Sequence, residues 1–208
     1  MDMQIDEGSE KSGRARVIHP WWLRVCHWVN AASIIIMTMS GWRIYNASPL
    51  FDFRFPGEVT IGGWLGGALQ WHFAAMWIFA LNGVIYLMLN MLTGRLRKKF
   101  FPLCLRELIK DAFNALTGKL AHADLRQYNQ VQRAAYLFVM FDCALLALSG
   151  LVLWKSVQLP VLRELMGGYD AVRYIHFFAM SALTGFVAVH LLMVALVPKT
   201  LLAMLRGR

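Results

Sequence analysis

Charge is what this sequence has least of. Of 208 residues, 16% are Asp, Glu, Lys or Arg and 58% are hydrophobic, whereas a soluble domain usually carries about 25% charged residues. With a mean hydropathy of +0.49, the chain reads as an integral membrane protein whose core is the interior of a helix bundle. Cysteine is scarce as well. Cys26, Cys104 and Cys143 form no CxxC and no CxxCH pattern, which argues against covalent c-type haem, an iron–sulfur cluster or a Cys-based zinc site; each reads as a buried or interfacial thiol. Residues 1–16 contain no apolar h-region or small-residue cleavage site and read as a disordered cytoplasmic tail. Carboxylates are nearly missing from the apolar runs, Asp142 standing alone there. Little chain remains for a separate soluble domain.

What is present is four apolar runs, each near the roughly 20 residues that a membrane-crossing helix needs. The expected fold is all-α, a four-helix transmembrane bundle over residues 17–200. Its spans run from about Cys26 to Tyr45, Trp71 to Thr93, Val131 to Trp154 and Tyr174 to Val197, and residues 201–208 form a C-terminal tail. Pro20 suits a helix start, and Trp21, Trp22 and Trp28 suit the headgroup level. Residues 47–70, with Pro49, Pro56 and several glycines, read as a loop with at most a short interfacial helix. Residues 94–126 are strongly basic, but Leu105, Leu108, Ile109, Ala112, Phe113 and Leu116 recur at i, i+3, i+4 spacing. That stripe predicts a helix lying on the membrane surface; a soluble helix packed on a partner is the alternative.

The net charge of +9 does not call for nucleic acid, because the basic residues sit between the spans. The N-terminal end, the connection after the second span and the C-terminal end hold sixteen of the 21 Lys and Arg residues; the other two loops hold Arg43, Arg54, Lys155, Arg163 and Arg173. By the positive-inside rule both termini are expected in the cytoplasm.

That orientation sorts the histidines by depth. His176 and His190 are fourteen positions apart on the fourth span, about 21 Å along a helix axis and about 40° short of four full turns. His27 opens a span that starts inside, and His72 opens one that starts outside. The four fall into an outer pair, His72 with His176, and an inner pair, His27 with His190, each drawn from two helices. Ionisable groups inside spans are functional candidates by default. Two imidazoles on one iron describe a b-type haem with both axial positions filled, which favours electron transfer over oxygen binding. Two such haems would form a wire across the bilayer. Gly41, fourteen residues from His27, and Gly83, eleven from His72, are small residues where a bulky ligand would pass; helix–helix packing is the alternative. Arg24, Arg43, Arg133 and Arg173 are equally suited to neutralising propionates and to anchoring at the interface. Asp142 reads as a carboxyl hydrogen-bonded in the bundle, with a proton relay as the alternative; His19 and His122 read as solvated. A zinc or proton transporter also uses intramembrane histidines, but with more carboxylates than this chain has.

RVCHW in the first span and HFFAMSALTGFVAVH in the fourth resemble the bacterial four-helix cytochrome b superfamily. It contains cytochrome b561 and the cytochrome b subunits of nickel–iron hydrogenase, formate dehydrogenase and thiosulfate reductase. The resemblance covers the chain from His19 to Pro198. It implies two b-type haems held by His27, His72, His176 and His190, with quinone as substrate. Tyr128-Asn129-Gln130-Val131-Gln132 is similar to the family's Y-N-x-x-Q start of the third span, which implies a quinone contact at Asn129 with Gln132 nearby; a helix cap is the alternative. The implied role is an electron-transfer subunit of a quinone-linked respiratory oxidoreductase in the inner membrane. Its implied partner is a periplasmic redox subunit, molybdenum-containing by the look of WLGGALQWH and GGYDAVRYIH. The competing expectation is a self-sufficient cytochrome b561 that oxidises superoxide and reduces quinone. Assembly into a homo-oligomer stays open.

Overall fold

The computed structural model describes residues 19–100, 102, 104–116 and 129–207, and among these it is helical, with no strand. The expectations for residues 1–16, His122 and Tyr128 lie outside the described residues. Helix α1 (Trp21–Ala47) follows Pro20, whose extended backbone stops the helix from starting sooner. A loop with one 3-10 turn (Gly57–Val59) leads to α2 (Leu65–Leu92). Two short helices come next, α3 (Arg95–Phe100) and α4 (Leu105–Leu116). Helix α5 (Gln130–Trp154) connects through α6 (Pro160–Leu165) to α7 (Gly168–Leu196), and α8 (Lys199–Arg206) follows.

Helices α2, α5 and α7 are long and apolar enough to cross a membrane. Helix α1 has the length, at 27 residues, but not the apolar composition. Its polar residues look inward: Ser33 and Ser40 are buried, and Asn30 accepts a hydrogen bond from α2. Three helices begin about a turn or more before the apolar runs, because a helix continues through the interface once started. Helix α2 takes in Leu65–Gln70, part of a stretch expected to be a loop with at most a short interfacial helix. The turn before it depends on Gly62, at φ +101°, where a Cβ would lie 2.3 Å from the Ala68 nitrogen; only glycine allows that approach. Part of the chain expected as a C-terminal tail is helix α8.

Helix α1 packs along α2, and α5 along α7. Small buried residues, Ala68 and Ala75 on α2 and Ala179 on α7, let the backbones approach. In the first pair Asn82 Nδ2 donates to the Cys26 carbonyl at 2.8 Å and to Asn30 Oδ1 at 2.6 Å. The outward faces carry exposed apolar side chains such as Leu81, Leu92 and Leu196, as lipid-facing helices do. On α4, Leu105, Ile109 and Phe113 are exposed at i, i+4, i+8, the expected surface stripe. Its other side is tied to the start of α5: Asp111 Oδ2 accepts from the Gln130 backbone N–H at 3.0 Å, and Glu107 from Gln130 Nε2 at 3.3 Å.

The two pairs meet at one end through aromatic rings. Phe51, Phe53 and Phe55, from the loop after α1, gather on Tyr45 and Phe177; Tyr45 lies 5.2 Å from Phe177 and Phe51 5.3 Å from Phe177. Arg173 on α7 donates to the Ser48 carbonyl at 2.6 Å and fastens the loop.

Candidate functional site

Two groups of histidine side chains lie between the helix pairs. His27 on α1 and His190 on α7 face one another, with ring centroids 6.1 Å apart and planes 64° apart. Metal–nitrogen bonds of about 2 Å on opposite sides of one ion put two imidazole centroids roughly 6 Å apart, so this spacing fits a shared axial pair. Trp28 packs edge-on against His27 at 5.3 Å, and Phe186 stacks on His190 at 6.2 Å. His72 on α2 and His176 on α7 are close enough to interact electrostatically. Among the described residues no three His, Cys, Asp or Glu side chains converge to hold a bare metal ion. The donors come in twos, as a cofactor bringing its own equatorial ligands requires.

The surroundings of His72 and His176 are nearly the same. His72 Nδ1 lies 3.1 Å from both Ser40 Oγ and the Met37 carbonyl. His176 Nδ1 lies 2.9 Å from Ser149 Oγ. The Met37 carbonyl has no proton to give, and Ser149 Oγ gives its own to the Leu145 carbonyl at 2.7 Å, so Nδ1 carries the hydrogen in both rings and Nε2 keeps the lone pair. Gly41 faces the His72 ring, where an added Cβ would sit 3.6 Å from Cε1; Gly150 faces His176 more tightly, at 3.2 Å. Gly41 therefore makes room for an imidazole from the neighbouring helix, in keeping with the helix–helix packing alternative for this residue. At Gly83 an added Cβ would meet nothing within 4 Å.

The other sequence candidates are used locally. Asn129 caps α5: its side chain accepts from the Gln132 backbone N–H at 2.7 Å, and Gln132 Oε1 accepts from the Asn129 N–H at 3.2 Å. That is a capping box. Arg24 donates to the Leu205 carbonyl at 2.6 Å, Arg43 to the Gly63 carbonyl, Arg133 to the Pro102 carbonyl at 3.0 Å and Arg173 to Ser48. All four act here as anchors on backbone carbonyls. Asp142 is buried, but its Oδ2 has no hydrogen-bond partner among the described residues, unlike the bonded carboxyl expected. Ser40, Ser149, Gly150 and Asn82 escape the sequence reading. A Ser-Gly step at 40–41 and again at 149–150, each in a helix paired with a histidine-bearing one, is the signal that marks three of them.

The sequence pattern of the prokaryotic cytochrome b561 family matches residues 18–207. A proposed protein-methionine-sulfoxide reductase subunit, YedZ1, of Azospira oryzae is 64% identical over 190 residues, covering 91% of this chain and 96% of that protein. Helices fit to span a membrane, histidines gathered in twos between them and a match over nearly the whole chain agree: the chain belongs to the prokaryotic cytochrome b561 family, whose members carry electrons across membranes on b-type haem.

Proposed function

We propose that this chain carries electrons through two b-type haems between the quinone pool and a periplasmic oxidoreductase subunit. The observation that carries the reading is the pairing of four imidazoles into two groups between α1/α2 and α5/α7, with one pair at 6.1 Å. In this reading α1 crosses the bilayer with the other three long helices, and both termini lie in the cytoplasm of a bacterium, as the Lys and Arg distribution supports. His27 and His190 hold the inner haem; His72 and His176 hold the outer one. When bound, each haem supplies a one-electron iron couple. Two histidines available to each haem would suit electron transfer and turn the site away from oxygen chemistry. The protonated Nδ1 atoms of His72 and His176 would leave Nε2 free for the metal.

Quinone is oxidised beside the inner pair, near Asn129 and Gln132. The partner docks at the opposite face. In the families that the sequence resembles, such partners are often molybdenum enzymes, and the likeness to a relative named for methionine sulfoxide reduction points to oxidised methionine in proteins as the final acceptor. Sulfoxide reduction takes up two electrons and two protons and releases water, so electrons run from quinol outward, one at a time through this chain.

The test is haem content and the reduced-minus-oxidised spectrum of the purified protein, alongside His72→Ala and His190→Ala. About two haems per chain, with a different one lost in each variant, is the expected result. A colourless protein, or one indifferent to both substitutions, overturns the reading. Superoxide oxidation by the isolated chain without a partner would replace the wire by a self-sufficient superoxide:quinone oxidoreductase.

A further inference from the structure

The environment of the outer histidines repeats in detail. On α1, Ser40 Oγ donates to the Ile36 carbonyl at 2.7 Å, Nδ1 of His72 sits on Ser40 Oγ and on the Met37 carbonyl, and Gly41 lies beneath the ring. On α5, Ser149 Oγ donates to the Leu145 carbonyl at 2.7 Å, Nδ1 of His176 sits on Ser149 Oγ, and Gly150 lies beneath the ring. Each serine spends its one proton on its own helix, so its oxygen can only accept from the imidazole. Both serines are completely buried, and no water competes for these bonds. The inner pair is built differently: among the described residues neither His27 nor His190 has a hydrogen-bond partner, and aromatic rings flank both.

We propose that Ser40 and Ser149 are positioning residues that fix the rotation and tautomer of His72 and His176 and set the reduction potential of the outer haem separately from the inner one. The proposal rests on the two-layer haem reading above. A hydrogen bond from Nδ1–H to a fixed acceptor raises the electron-donating strength of Nε2. A stronger donor favours ferric over ferrous iron and lowers the potential. Two histidines held in this way make the outer layer the one whose potential these residues pull down.

The experiment is a redox titration of the full-length, haem-loaded protein, followed optically and by paramagnetic resonance of the ferric signals. The variants are Ser40→Ala, Ser149→Ala, the double variant and Ser33→Ala, with Ser33 a buried serine on α1 outside both cradles. Ser40→Ala and Ser149→Ala, on different helices, should move the same midpoint to more positive values and leave the other in place. The double variant should move it further, and Ser33→Ala should move neither. Release of that haem should quicken by about tenfold, the lower end of what losing an outer partner costs a metal site. Ser40→Cys and Ser149→Cys separate a lost acceptor from a lost volume: sulfur fills the space but accepts weakly, so these variants should shift as alanine does. Loss of one and the same haem in both alanine variants also supports the proposal. Unmoved midpoints, movement of both haems, or cysteine variants with wild-type midpoints overturn it. The underlying reading fails separately, if the unsubstituted protein lacks haem or if His72→Ala and His190→Ala remove the same one.

Discussion

Replacing Gly150 by Ala puts a methyl group 3.2 Å from His176 Cε1 and 3.7 Å from Nδ1, whereas the same change at Gly41 puts one 3.6 Å from His72 Cε1. Carbon atoms attract best at about 3.5–4.0 Å, so the second methyl finds ordinary contact and the first must push a ring. That ring cannot move freely, since its Nδ1 is held at 2.9 Å by Ser149. Both substitutions gain up to about 1 kcal/mol from alanine's higher helix propensity. Only Gly150→Ala carries the overpacking penalty, about 1–3 kcal/mol. The propensity gain cancels in the comparison, leaving Gly150→Ala about 1–3 kcal/mol less stable than Gly41→Ala. At about 2–4 °C per kcal/mol for a chain of this size, the melting temperatures should differ by about 2–12 °C. The assay is thermal unfolding in detergent, with the haem spectrum recorded on the same samples; Gly150→Ala should also disturb the outer haem, and Gly41→Ala should leave it nearly unchanged. A Gly41→Ala protein that melts at or below Gly150→Ala would refute the reasoning from these distances.

Three further outcomes are expected. Asn82→Leu removes the donor that joins Cys26 and Asn30 across α1 and α2 and should destabilise the protein by about 1–3 kcal/mol; made together with Asn30→Leu it should cost less than the sum, and strict additivity in thermal unfolding would deny the link. Asn129→Ala should lose about 0.5–2 kcal/mol of capping, which Asn129→Ser restores; quinol oxidation should stay low in Asn129→Ser if the amide touches quinone, and full recovery would leave Asn129 a cap alone. Asp142→Leu replaces a buried carboxyl whose Oδ2 has no partner among the described residues by an apolar group and should raise the melting temperature, so a marked drop would show that the carboxyl is bound to something essential.

Helices α2 and α7 were legible because lipid imposes strong rules, whereas α1, which carries His27, lacks the apolar composition of the other long helices. Long apolar runs must be helical, and an imidazole within one stands out. The helix starts were not legible: Trp21–Val25 and Leu65–Gln70 are too mixed to extend an apolar run, yet they continue the helix through the interface. Ser40 and Ser149 were hidden for another reason. A serine in an apolar helix bonds its own i−4 carbonyl whatever its surroundings, so nothing local separates a spectator from one whose oxygen meets an imidazole 27 or 32 residues away. At Gly41 the neighbouring imidazole comes from the adjacent helix, which helical arithmetic, placing a residue only on its own helix, does not reveal. Asn129 shows the reverse case, since its capping geometry is local and could be weighed from the sequence alone.

The loop that folds Phe51, Phe53 and Phe55 onto Tyr45 and Phe177 bears, under the two-haem proposal, on the speed at which charge can change beside His176. Water answers a new charge by turning its dipoles, and that turning is work done before each electron arrives. Aromatic rings packed at 5–6 Å centroid spacing answer instead by polarising in place, with no nuclei to rearrange. Phe177 belongs to this ring cluster and directly follows His176 on α7; under the two-haem proposal, rings pinned by Arg173 to Ser48 leave less water to reorganise beside that histidine.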